Sequence, residues 1–178
     1  MSAAQAPVAG PAMSPGTYMR KRREAAGLSV REASLLAVSL PLAAYHRPGH
    51  EFDIQEAVGL MARFGWIEGD RDYLTESQAW LLQRVMPFDP DVYIALTLLH
   101  AIGPERAAWS GLPVPQVCRE CACSWHVACL TSPAPGVAAR PCSWSAEPDL
   151  CTACERTALA VAAVPQPSSV PARVQVSA

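Results

Sequence analysis

Apolar residues recur at helical spacing through the first hundred residues, and capping residues mark where each run begins and ends. Ser14-Pro15 predicts the start of a first helix, because serine caps helix N-termini and proline suits the first helical position; Gly27 predicts its end. Ser29 and Glu32 form a capping-box pattern for a second helix, which runs to about Val38. The residues of this helix predicted to face the core are Ala33, Leu36 and Ala37.

Three more helices are predicted after a less regular stretch that contains Pro41 and Pro48. Capping patterns give their limits as Asp53 to Gly65, Thr75 to about Val85, and Asp89-Pro90 to His100. The apolar positions predicted to face inward are Ile54, Ala57, Val58, Met61 and Phe64, then Trp80, Leu81 and Val85, then Val92, Leu96 and Leu99. No alternating strand pattern precedes residue 104, so the front of the chain is predicted to be all-α.

Proline and glycine divide the chain into segments. Residues 1–13 are expected to form a disordered arm, and residues 14–103 an all-α domain. A linker is predicted over 104–115, a cysteine-rich module with a trailing helix over 116–163, and a disordered tail over 164–178. The predicted fold class is therefore mainly α, with irregular or short β structure in the cysteine-rich module.

The cysteine-rich module contains all seven cysteines of the chain. They form two Cys-x2-Cys pairs with three further cysteines between the pairs: Cys118, Cys121, Cys123, Cys129, Cys142, Cys151 and Cys154. A Cys-x2-Cys turn lets two thiolates reach one ion, and four donors complete the tetrahedron that zinc prefers. A segment with so few aliphatic residues needs such an ion to fold alone. Disulfides fit less well, because the number of cysteines is odd.

The sequence leaves the number of zinc ions open. The two Cys-x2-Cys pairs suffice for one ion, which leaves three cysteines and His126. Two four-coordinate ions need eight donor contacts, which seven thiolates and His126 supply; one bridging thiolate supplies them without His126. An iron–sulfur cluster is a further alternative. A structural role is predicted for the metal, because no His-x-x-x-His pattern or glutamate base lies beside the pairs. Trp125 and Trp144 are expected to cover the cage.

The cysteine segment resembles a small zinc-binding module of uncharacterised phage and prophage proteins. The resemblance rests on the Cys-x2-Cys-x-Cys start at Cys118–Cys123 and on the Cys-Ser-Trp and Glu-Pro-Asp-Leu-Cys-x2-Cys pattern at Cys142–Cys154. It covers roughly a fifth of the chain and implies zinc binding.

Residues 18–38 resemble the first two helices of the Cro/repressor type of helix-turn-helix domain. The shared features are a basic first helix, the Gly27-Leu28-Ser29 turn, and Glu32-Ala33 at the start of the second helix. In that family the helix after the next turn enters the major groove; here that stretch contains Pro41 and Pro48. The resemblance implies a phage-derived or bacterial regulatory protein that binds duplex DNA, with phosphate contacts from Arg20, Lys21, Arg22, Arg23, Arg31 and Arg47.

Charge is distributed unevenly along a chain whose formal net charge is −2. Residues 16–50 carry six basic against two acidic side chains, and residues 51–107 carry ten acidic against four basic. The basic residues form either a phosphate-contacting face or a solvated helix face. The alternative function is a protein-interaction adaptor, which binds a protein partner or a second copy through the acidic helical body or the zinc module.

No catalytic constellation occurs in the sequence, so enzymatic activity is not predicted. The first 16 residues lack the basic and apolar regions of a signal peptide. No apolar run reaches the roughly 18 residues that a membrane helix needs. We therefore expect a cytoplasmic protein without a membrane partner.

Overall fold

The computed structural model describes residues 13–39, 54–131, 137–147 and 149–162. Its helices are α1 (Pro15–Ala25), α2 (Val30–Ser39), α3 (Ile54–Glu68), α4 (Glu76–Val85), α5 (Pro90–Ile102), α6 (Pro104–Trp109) and α7 (Thr152–Ala162). Two short strands, β1 (Leu130–Thr131) and β2 (Arg140–Pro141), pair antiparallel. The predicted mainly-α fold class is confirmed for these residues. No helix among them combines the length and apolar character needed to cross a membrane.

Helix starts follow the predicted capping residues. Ser14 caps α1, and its hydroxyl accepts a hydrogen bond from the Thr17 N–H. The capping box of Ser29 and Glu32 begins α2, with the two reciprocal hydrogen bonds at 3.1 and 2.8 Å. Thr75 begins α4 in the same way. These starts were predictable because each cap involves residues only three positions apart in the chain.

Some predicted boundaries differ from the structure, and the end of α5 lies at Ile102 instead of His100. Gly65 does not end α3, which continues to Glu68. The chain leaves this helix near Asp70, which has a left-handed backbone (φ 56°). The predicted linker over 104–115 begins with a short helix, α6, because Pro104 suits a first helical position. The predicted disordered arm and tail lie outside the described residues, except for Met13, which packs against the helical core.

The helical core is built by α1 to α5. Tyr18, Phe88 and Tyr93 form its aromatic centre, with ring centroids 5.3 and 5.5 Å apart in successive pairs. The three inward-facing residues predicted for α5 are all buried: Val92, Leu96 and Leu99. In α4, Leu81 is buried as predicted, whereas Trp80 and Val85 are half-buried.

The buried faces of α2 and α3 differ in part from the predicted ones. Ala33 and Ala37 of α2 are buried as predicted. Three other residues predicted to face the core are exposed by 40–50%: Leu36, Val58 and Met61. In α3 the core is formed by Leu60, Phe64 and Ile67, of which Phe64 was predicted. The side chains of Ile54 and Ala57 and the predicted cap Asp53 lie outside what the structure describes.

The N-terminus of α1 lies against the end of α3. The Asp70 carboxylate accepts hydrogen bonds from the Gly16 N–H at 2.7 Å and from the Ser14 hydroxyl at 2.6 Å. A carboxylate at this position also interacts favourably with the positive end of the helix dipole. A Cβ atom at Gly16 would lie 2.5 Å from the Ile67 carbonyl oxygen, so glycine alone fits this close approach.

Candidate metal centre

The turn at Cys118–Cys123 brings three thiols to one side of the chain. The Ala122 N–H donates to the Cys118 carbonyl at 2.8 Å, and the Cys118 N–H donates to the Cys123 carbonyl at 3.0 Å. Ala122 adopts a left-handed backbone (φ 58°), which reverses the chain between Cys121 and Cys123. This conformation costs a non-glycine residue about 1–2 kcal/mol. Burial of the Ala122 methyl group against the helical core offsets part of that cost.

The β1–β2 ribbon brings two further thiols to the same place. The Cys142 N–H donates to the Cys129 carbonyl at 2.8 Å, and the Cys129 N–H donates to the Cys142 Sγ at 3.3 Å. Cys151 follows through a β-bridge with Trp144, immediately before α7. Its N–H lies 3.5 Å from the Cys118 Sγ, which joins the two ends of the cysteine segment.

Six cysteine thiols form two overlapping sets of four. Within each set every sulfur lies within 4.8 Å of the others. The first set is Cys118, Cys121, Cys123 and Cys151, and the second is Cys123, Cys129, Cys142 and Cys151. A ZnS4 tetrahedron with bonds of about 2.3 Å has edges of about 3.8 Å. The sulfurs of Cys121 and Cys151 are 3.8 Å apart and those of Cys123 and Cys142 are 3.6 Å apart, so the donor set fits a tetrahedral metal.

Two predicted ligands lie outside both sets. Cys154 is half-buried and packs against the cluster. His126 is exposed, and the structure does not bring its imidazole into either set. Of the two predicted covering residues, Trp144 packs against the cysteines, whereas Trp125 is 70% exposed.

Close packing of the thiols shifts their proton affinities in opposite directions. Hydrogen bonds from Cys118 and Cys123 lower the pKa of Cys121 to about 6, and hydrogen bonds from Cys121 and Cys123 lower the pKa of Cys129 to about 4. Burial raises the pKa of Cys142. The group cannot ionise completely without a counter-charge, because thiolates this close repel one another. A bound divalent cation supplies that charge.

Basic side chains of α1 hold the cysteine segment against the helical domain. Lys21 Nζ donates to the Glu120 carbonyl at 2.7 Å. Arg22 is buried, and its guanidinium donates to the carbonyls of Cys121 at 3.2 Å and Pro87 at 2.5 Å. The backbone of the metal-ligand turn is therefore bonded directly to the first helix.

A buried carboxylate makes a second link between the two parts. Asp89 caps α5 by accepting from the Val92 N–H, and it also accepts from the Ser124 hydroxyl at 2.7 Å. Its own N–H donates to the Tyr18 hydroxyl at 2.9 Å. The sequence predicts the capping role of Asp89, but nothing in it indicates the contact with Ser124, 35 residues away.

Arg119 joins the two ends of the cysteine segment at the surface through ion pairs. Its guanidinium lies 2.9 Å from the Glu147 carboxylate and 3.0 Å from that of Asp149. The backbone N–H of Arg119 donates to the backbone carbonyl of Asp149 at 2.8 Å. The two acids belong to the Glu-Pro-Asp-Leu sequence before Cys151. This pattern is visible in the sequence, but nothing there indicates that its acids pair with Arg119.

The predicted phosphate-binding residues do not form one exposed face. The predictions for Arg22 and Arg23 are wrong, because both guanidinium groups are buried. Arg23 makes a two-pronged ion pair with Glu68, with distances of 2.6 and 2.9 Å, so it balances a buried acid. Lys21 is half-buried. The exposed members of the predicted set are Arg20 and Arg31, and Arg47 lies outside the described residues.

Comparison of this chain with known protein families, with curated proteins and with solved structures gives no match. The helix-turn-helix character of α1 and α2 and the likeness of the cysteine segment to a phage module stay predictions. Evidence for function comes instead from the thiol cluster and from the residues that hold it.

Proposed function

We propose that the cysteine segment binds zinc as a structural ion and that the loaded segment stabilises the helical domain. The convergence of six thiols in two sets of four carries this proposal. Thiolate donors in tetrahedral arrangement favour zinc over hard cations such as magnesium or calcium. Each set contains four cysteines, which saturate a tetrahedral ion and leave no position for a reacting water.

Metal analysis of the full chain tests this proposal. Protein purified under reducing conditions should retain zinc through gel filtration. Cys142→Ser should lower the zinc content and the stability of the cysteine segment. Ser143→Ala, the neighbouring exposed hydroxyl, is the matched control and should leave both unchanged. A zinc-free wild-type protein whose stability is unaffected by Cys142→Ser would contradict the proposal.

We propose duplex DNA binding as a second function, which makes this a phage-derived or bacterial regulatory protein. The arrangement of α1, the turn at Gly27 and the capped α2 supports it, since this is the pattern on which the Cro/repressor resemblance rests. Arg20 and Arg31 are exposed on this unit and would contact phosphates. Two such contacts give a modest affinity with a salt slope of about 0.9 per contact.

A salt-dependent binding titration separates DNA binding from the adaptor alternative. Replacing Arg20 and Arg31 together by alanine should weaken duplex binding and reduce the salt slope by about 0.9 for each phosphate that the variant no longer neutralises. Replacing Arg84 and Arg106, two exposed arginines elsewhere, is the charge-matched control. If wild-type protein does not bind duplex DNA at low salt, the DNA proposal fails. The function is then the adaptor, with a protein partner or a second copy as ligand.

A further inference from the structure

The two thiol sets share two members, Cys123 and Cys151. Two sets of four with two members in common contain six different cysteines. If each set holds one ion, the two tetrahedra share an edge, and each shared sulfur is bonded to both ions. The arrangement therefore differs from two separate zinc sites, which need eight donors.

We propose that the protein binds two divalent metal ions in one binuclear centre, bridged by the thiolates of Cys123 and Cys151. This inference rests on the proposed zinc binding and adds the number of ions and the way in which they are joined. Cys118 and Cys121 would complete the first ion, and Cys129 and Cys142 the second.

Burial agrees with these roles. A bridging sulfur lies between the two ions, so it should be among the most buried ligands of the binuclear centre. Cys123 and Cys151 are each 1% exposed, whereas Cys121, Cys129 and Cys142 are half-buried at its edge. Cys118 is the one terminal ligand that is fully buried, because it lies between Cys123 and the Cys151 N–H.

The sulfur distances also indicate what metal binding would change. The 3.8 and 3.6 Å distances within the sets already match tetrahedral edges. The sulfurs of Cys121 and Cys129 are 3.2 Å apart, although they belong to different ions in the proposed centre. Terminal ligands of neighbouring ions lie further apart than the ligands of one ion. We therefore expect loading to separate these two sulfurs while the bridging pair stays in place.

The net charge of the centre favours two ions that share six thiolates over two ions with additional thiolate ligands. Two divalent ions and six thiolates carry a net charge of −2, and a seventh thiolate would make it more negative. Such charge is costly to bury unless cations lie close by. Lys21 and Arg22 supply nearby positive charge, because both are bonded to the carbonyls of the ligand turn. Cys154 lies outside both thiol sets, which agrees with this limit.

The wild-type full chain tests the bridge directly. Native mass spectrometry of the reduced protein should show two zinc ions per chain. In the form loaded with ¹¹³Cd, two NMR resonances should show cadmium–cadmium coupling through the shared sulfurs. In the cobalt form, the magnetic moment per ion should fall when the second cobalt binds. These signatures require bridging and would be absent from two isolated sites.

Three variants assign the ligands. Cys154→Ser should still bind two ions, because Cys154 lies outside both sets. Cys142→Ser should weaken the binding of one of the two ions. Cys151→Ser should weaken the binding of both ions together. Since Cys151→Ser can also prevent folding, the coupling in wild-type protein decides the question of bridging by itself.

Each unfavourable outcome overturns a defined part of the inference. One ion per chain, or two ions without coupling, rules out the binuclear centre and leaves structural zinc binding standing. Loss of an ion in Cys154→Ser rules out the six-cysteine ligand set. A metal-free wild-type protein overturns both this inference and the proposed function.

Discussion

Arg22 is a charged residue with an exposed fraction of 1%, and its guanidinium donates to backbone carbonyls. It stands in a run of four basic residues, Arg20 to Arg23, which look equivalent in the sequence. In the structure Arg20 is exposed to solvent, whereas Arg22 donates hydrogen bonds to the carbonyls of Pro87 and Cys121. Arg23 forms an ion pair with Glu68. These roles cannot be distinguished in the sequence, because the acceptors lie 45 to 99 residues further along the chain.

Replacing Arg22 by alanine should lower the free energy of unfolding by about 2–4 kcal/mol, because the variant loses the two hydrogen bonds of the guanidinium and the packing of a buried side chain. Arg20→Ala, an exposed arginine two positions earlier on the same helix, should change it by less than about 0.5 kcal/mol. Urea unfolding of the zinc-loaded protein measures both values. Equal effects of the two substitutions would contradict the role given to Arg22.

Two buried tyrosines make stability depend on pH in the alkaline range. Burial raises the pKa of Tyr93 from 10.0 to about 12, and burial also raises the pKa of Tyr18. The folded state therefore holds these protons more tightly than the unfolded state. Their contribution is complete below pH 10 and is lost as the pH rises towards 12, by up to about 1.4 kcal/mol per pH unit for each group.

Urea midpoints measured from pH 8 to pH 11 check this dependence. Tyr93→Phe should be less stable at pH 8, since the Leu74 N–H loses its acceptor at 3.0 Å. The same variant should lose less stability between pH 10 and pH 11 than the wild type does. An unchanged alkaline slope would assign the pH dependence to other groups.

At the scale of the helices, features were predicted correctly where the residues that determine them lie close together in the sequence. The Ser29–Glu32 and Thr75–Gln78 capping boxes were predicted correctly, because each is complete within four residues. The buried face of α3 was predicted only in part. Adjacent apolar residues such as Leu60 and Met61 leave two faces of similar hydrophobicity, and neighbouring helices decide which one is buried.

The contact between α1 and the end of α3 predicts opposite effects for two glycines. Gly16→Ala should destabilise the protein by about 1–3 kcal/mol, because the new methyl group would meet backbone carbonyls of Ile67 and Glu68 that cannot move aside cheaply. Gly65→Ala should stabilise α3 by roughly 0.5–1 kcal/mol, since open space surrounds that position and alanine favours the helix. Thermal unfolding compares the two variants, and a stable Gly16→Ala protein would contradict the close approach.

At the scale of the whole molecule, the sequence predicts a linker between the helical domain and the cysteine segment, but the two are in direct contact. The metal-binding character of the cysteines is predictable from the sequence, because Cys-x2-Cys spacing is a short-range pattern. No sequence pattern indicates that Ala122 packs in the helical core or that Ser124 bonds to Asp89. Such contacts join segments that composition assigns to different units.

The docking contacts predict that metal removal weakens the helices as well as the cysteine segment. A chelator should lower the helical melting temperature by about 2–4 °C for each kcal/mol of docking free energy that is removed. In Ser124→Ala, which lacks the bond to Asp89, the melting temperature should be lower at the start and the effect of the chelator smaller. Circular dichroism at a helical wavelength follows both. A melting temperature that is independent of the chelator would mean that docking contributes no stability.

The long chain distance between Arg22 and its acceptor at Cys121 also has a consequence for synthesis. These residues are 99 positions apart. A ribosome that adds ~5–20 residues per second needs about 5–20 s to make the intervening chain. During that time Glu68 appears first and Cys121 much later, so Arg23 meets its carboxylate partner well before Arg22 can bind the carbonyl of Cys121.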